Sequence, residues 1–168
     1  MGELNPRDRL QPFLLDRLTD DQSDQTKESR EKYVFSPRQM KESLLRDLSA
    51  LLNTPGPIEG DGVEEFPNAN TSVLNYGIPN LAGMTASGVP GSSLEKAITM
   101  AIHTFEPRIE KHSLSVKLIS SEDYSNPNMI ALEIRGEVVA NPLSERMFIR
   151  TEVDLETGRF AVKDGPNG

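Results

Sequence analysis

Glu106, Pro107 and Arg108 set a carboxylate and a guanidinium on either side of a proline. Pro107 drives the preceding residue out of the helical region, so a helix entering this segment must stop near Phe105. Glu106 then stands at the negative end of the helix dipole, where an anion is disfavoured. Two readings follow from these residues. In one, Arg108 neutralises an awkward helix end. In the other, a rigid proline-fixed turn presents a carboxylate and a planar, two-pronged donor to a partner. Acid–base hydrolysis fits less well. It needs two carboxyl groups at a set separation, one of them kept protonated. Among 26 Asp and Glu some pair will always look suitable, and nothing singles one out.

Other chemistries lack their residues. The chain has no Cys, which removes disulfide scaffolds, thiolate zinc sites and thiol nucleophiles. Its two histidines, His103 and His112, have no spaced third ligand. The carboxylates Glu59, Asp61, Glu64 and Glu65 do not follow the alternate-ligand spacing of a calcium loop. No metal and no cofactor are expected. With 18 basic against 26 acidic residues the net charge is −8, so a phosphate backbone offers no counterion-release gain and nucleic acid is not an expected partner. No apolar run is long enough to span a membrane, and the N-terminus has no secretory apolar core. A cytoplasmic location is expected.

Between residues 71 and 81 lies an apolar string broken by glycine and proline, with Asn75, Tyr76, Gly77 and Pro79 at its centre. It reads as a short helical turn followed by an ordered loop. Tyr76 can fill a pocket with its ring and still meet a polar partner with its hydroxyl.

The positioning elements follow from periodicity. Ser36, Pro37 and Gln39 supply an N-cap, a first-position proline and a capping-box partner. Met40, Leu44, Leu45, Leu48, Leu51 and Leu52 then share one face, predicting a helix over 37–52. Ser92 and Glu95 repeat the capping-box spacing, and Leu94, Ala97, Ile98, Ala101, Ile102 and Phe105 share a face, predicting a helix over 93–105 with His103 on the opposite side. Beyond it, residues 114–118, 130–138, 147–155 and 160–162 alternate apolar with polar. Four strands with short connections make an antiparallel meander. The fold class expected is α+β, with two main helices on one face of a four-stranded antiparallel sheet and the other face wet. Its open edges could accept a partner strand.

Residues 1–35 read as a flexible N-terminal arm. Leu14, Leu15 and Leu18 form its one apolar patch, either folding back on the core or anchoring a partner. The stretch that follows is too polar to offset its ordering entropy. The chain thus divides into an arm at 1–35, a single α+β domain at 36–163 and a tail at 164–168.

Taken in order, Leu14-Leu15-Asp16-Arg17-Leu18, Leu45-Arg46-Asp47-Leu48, Ser72-Val73-Leu74-Asn75-Tyr76-Gly77-Ile78-Pro79, Phe105-Glu106-Pro107-Arg108 and Asp154-Leu155 with Thr157-Gly158 resemble the TssE family. These are small baseplate subunits of the bacterial type VI secretion system, related to a wedge protein of contractile-tail phages. Asn80 stands where the family commonly has Asp, and the polar stretch after the leucines is long. The resemblance implies a non-enzymatic wedge subunit beside TssF, TssG and TssK. It would offer the first sheath ring, built of TssB and TssC, a sheath-like surface that nucleates polymerisation, with neighbours linked by strand exchange. It also implies partner-binding roles for Glu106, Pro107 and Arg108, and for Asn75 and Tyr76 with Gly77 and Pro79. The alternatives are a lysozyme-like peptidoglycan hydrolase and an acidic adaptor unrelated to secretion.

Overall fold

The computed structural model describes residues 14–19, 36–56, 65–119, 128–139 and 145–165. The acidic stretch at 57–64, the polar stretch at 20–35 and the last residues of the tail lie outside the described residues.

Ser36 and Gln39 begin the first long helix as their spacing predicts. The Ser36 hydroxyl accepts the Gln39 N–H at 3.2 Å, and Gln39 Oε1 accepts the Ser36 N–H at 2.9 Å. A short helix α1 (Leu14–Leu18) precedes this helix, α2 (Pro37–Leu52); α3 (Pro67–Asn70) and two 3-10 turns follow, then α4 (Gly91–Phe105). The strands β1 (Ser115–Ile119), β2 (Met129–Val138), β3 (Glu145–Asp154) and β4 (Arg159–Asp164) form one antiparallel sheet in sequence order.

Alternation sorts the sheet into two faces. Val116, Ile134 and Ile149 share one cross-strand row, and Leu118, Leu132, Thr151 and Val162 share the next. These rows meet the apolar stripes of the helices, α2 over β4 and α4 over β1. Leu44, Leu48, Ile98, Ile102, Leu132, Ile134 and Ile149 are fully buried between them. Thr151 is tolerated there because its hydroxyl donates to the Ala161 carbonyl at 3.2 Å. The opposite face carries the row Lys117, Glu133, Arg150, Lys163.

One capping prediction fails. The second long helix starts at Gly91, with Pro90 at the N-cap position and no side-chain cap, so Ser92 lies inside the first turn. Glu95 does not reach back to the helix start; it accepts the Leu118 N–H of β1 at 2.7 Å. Pro90 fixes the chain's entry, and the packing of α4 on β1 gives the carboxylate a better donor. His103 is also half-buried rather than on the open surface, and its Nε2 finds no hydrogen-bond partner among the described residues.

Candidate functional site

The Glu106–Arg108 turn is fastened at both ends. The Glu106 N–H closes α4 by donating to the Ile102 carbonyl at 2.9 Å. Beyond the turn, the Arg108 carbonyl accepts the Val139 N–H at 2.7 Å, and the Glu110 N–H donates to the Glu137 carbonyl at 2.8 Å. Ile109 is buried opposite Val138. Pro107, at the apex, is exposed.

Glu106 itself is buried, only 4% exposed. Both prongs of Arg108 engage its carboxylate, Nε on Oε1 and Nη2 on Oε2. Arg108 Nη2 also reaches Asp47 Oδ2 at 2.7 Å. From there the pairing continues along α2. Arg46 Nη2 meets Asp47 Oδ1 at 2.8 Å, and Arg46 Nη1 meets Asp16 Oδ1 of α1 at 2.6 Å. The Ser43 hydroxyl donates to Asp16 Oδ2 at 2.8 Å. Acid and base thus alternate from the end of α4, across α2, to α1. Burial works against the charge on Arg108, but Glu106 and Asp47 outweigh it and hold the guanidinium above its ordinary pKa. Arg46 behaves likewise: desolvation opposes its charge, and Asp16 and Asp47 prevail.

Tyr76 belongs to the same region. Its ring meets Phe105, the last residue of α4, edge to face with centroids 5.1 Å apart. Burial raises its phenol pKa, and the charges of Asp47 and Glu106 raise it further. Asn75 is spent locally, its amide donating to the Asn70 carbonyl at 2.9 Å. Gly77 adopts φ 122°, and a Cβ there would stand 2.3 Å from the Thr54 carbonyl oxygen. Only glycine permits that approach, which lets the chain at 54–56 pair with Ile78 in a parallel bridge. Pro79 lies on the far side of this bridge. It lines an open groove of about 720 Å³ with Asn53, Thr54, Arg159 and Phe160.

Helix α1 turns its acid, and not its leucines, toward α2. Asp16 is its inward residue, with a side chain 10% exposed. Leu14, Leu15 and Leu18 are 71%, 55% and 73% exposed and are not part of the core. Of the two readings for these leucines, folding back on the core is thus not what the structure shows.

The structure therefore joins Glu106, Pro107 and Arg108 to Tyr76 and, through the ion pairs, to α1; Pro79 stands apart at the groove. Sequence reasoning missed Asp16, Ser43, Arg46 and Asp47 as members of this network. Their signal was present: Arg46 and Asp47 sit just off the leucine stripe of α2, where long charged side chains can meet a neighbouring element. It also missed three exposed apolar residues that precede Tyr76, namely Phe66, Val73 and Leu74. Among the described residues no group of His, Cys, Asp or Glu is arranged to hold a metal, and no helix is long and apolar enough to cross a membrane.

The profile of the baseplate wedge protein gp25 family matches residues 38–143, from the start of α2 to just past β2. The chain belongs to that family. The gp25 match agrees with the resemblance to small baseplate subunits and contains both the Asn75–Pro79 segment and the Glu106–Arg108 turn. Helix α1 and strands β3 and β4 lie outside it. Baseplate wedge proteins of this family are structural subunits that assemble with other baseplate components. Neither a curated protein nor a solved structure is matched by the chain.

Proposed function

We propose that this gp25-family protein is the type VI secretion version, a TssE-like wedge subunit working in the cytoplasm. In this reading it sits beside TssF, TssG and TssK, links the baseplate to the first TssB–TssC ring, and nucleates sheath assembly. The observation that carries the reading is the ion-pair relay from Glu106 to Asp16. It ties the turn to α1, with Tyr76 packed beside the turn on Phe105, on a fold whose family builds baseplate wedges. The two prongs of Arg108 are engaged within the chain, so its role toward a partner is to hold the surface in shape. Contact falls to Pro107, Tyr76 and the exposed leucines of α1.

The test is a tagged pull-down from the native host at low salt, read by mass spectrometry. The wild-type protein recovers TssF, TssG and TssK. Arg108→Asp places a third carboxylate between Glu106 and Asp47 and loses them, together with secretion. Leu15→Asp changes only an exposed side chain, so its loss of partners cannot be ascribed to unfolding. Recovery of all three partners with both folded variants would move the interface elsewhere. Absence of baseplate subunits from the wild-type eluate would overturn the assembly role.

A further inference from the structure

The sheet has two edges, and their backbone hydrogen bonds are satisfied differently. In β4 the Phe160 N–H donates to Asn53 Oδ1 and the Phe160 carbonyl accepts from Asn53 Nδ2, both at 3.0 Å. One side-chain amide thus pairs with the strand as a neighbouring backbone would. These bonds fix the direction of the ladder: Phe160, Val162 and Asp164 turn their N–H and carbonyl groups away from β3. The Gly165 N–H, donating to the Phe148 carbonyl at 3.0 Å, continues the same alternation. Beyond the Asn53 staple, the outward backbone groups of Val162 and Asp164 take no hydrogen bond from any described residue, while the Asp164 carboxylate meets Lys41 Nζ of α2 at 2.7 Å.

On β1 the outward positions are Val116 and Leu118. There the Leu118 N–H is taken by the Glu95 carboxylate, which lies in the lane an added strand would occupy. The β4 lane carries basic groups instead. Arg159 is exposed on the solvent face beside Lys163, which also pairs with Glu152 of β3 at 2.8 Å, where β1 offers Lys117 alone. The lane also leads somewhere: the groove of about 720 Å³ opens on Asn53, Arg159 and Phe160, and its charged lining residues are Arg159 and Arg46, the second already paired with Asp16 and Asp47. Unpaired edge groups are a template for an extended segment, and cross-strand charges select its sequence.

We infer that β4 is the edge that receives a partner strand. The occupant is an extended segment alternating apolar with acidic residues, pairing with Val162 and Asp164 and passing the Asn53 staple into the groove. Strand addition as such belongs to the assembly reading above, on which the biological partner rests; the choice of edge and the charge of the occupant rest on β4 itself.

The probe is a nine-residue peptide alternating glutamate with valine or threonine, added to the full chain. Amide hydrogen exchange is followed by NMR. Slowed exchange at Val162 and Asp164, with Val116 unchanged, is expected. A peptide with lysine replacing glutamate should bind at least tenfold more weakly. Val162→Pro removes an outward N–H and no ladder bond, so the strand can keep its place while losing an edge donor. It should weaken binding at least tenfold, whereas Val116→Pro should not. Protection at Val116 instead, equal binding of the lysine peptide, or no binding at millimolar peptide would each overturn the inference. If Val162→Pro fails to fold, the exchange pattern of the unaltered chain still decides it. None of these results bears on whether TssF, TssG and TssK are recovered, so failure here and failure of the assembly reading are distinguishable.

Discussion

Arg108 and Glu106 form a buried pair, and such pairs are costly to halve. With a glutamine at 108, the Glu106 carboxylate would stay in the interior without its counter-charge. Arg108→Gln is expected to lower stability by about 3 kcal/mol in urea unfolding. Removing both charges at once, with Glu106→Gln added, should recover most of that loss, and the double-mutant cycle measures the coupling. A near-zero coupling would mean that the pair is not formed in solution. Gly77 is constrained by sterics alone. Gly77→Ala drives a methyl into the Thr54 carbonyl at a positive φ, and should cost about 2 kcal/mol or more by the same assay. Both residues were visible as motif members. Glycine's reason was not, because the segment it must clear, at Thr54, lies more than twenty residues earlier in the chain.

Among the elements, the β3–β4 hairpin depends on Asp154. Its carboxylate accepts the Glu156 N–H at 2.9 Å and the Thr157 hydroxyl at 3.0 Å, and Gly158 follows at φ 70°. These bonds, the Glu156 N–H foremost, hold the Asp154 pKa below the ordinary carboxylate range. A depressed pKa means that the folded state binds the proton less well. The stabilisation is therefore present above the unfolded value and lost as pH falls through the folded one. The Tm of wild type should exceed that of Asp154→Asn at neutral pH, and the gap should close on acidification below about pH 4. A gap independent of pH would assign the effect to shape and not to charge. The long helices and all four strands were legible from period, and the start of α2 from its cap, since each apolar stripe is a local property of the sequence. The start of α4 was not. Ser92 and Glu95 have the right spacing for a cap, but Pro90 set the entry and β1 supplied Glu95 with a better donor.

For the whole molecule, the telling feature is an inverted burial: α1 turns its acid inward and its leucines outward. Apolar groups grouped in water in this way have the character that the proposed contact surface requires. Leu15→Asp should leave urea stability within about 0.5 kcal/mol of wild type while partner recovery falls. A large loss of stability would instead place Leu15 in the core in solution. By itself the sequence determined the α+β class, the meander, the core stripes and the motif segments, because hydrophobic period, capping residues and short loops act over a few positions each. Only the tertiary structure decided that Arg108 spends its prongs on Glu106 and Asp47, that Asp16 rather than a leucine seats α1, and that Asn53 closes one end of the β4 edge. Those outcomes depend on groups distant in sequence. The Asn53 and Phe160 pair is 107 residues apart, and no local pattern encodes which distant donor meets which acceptor until packing brings them together.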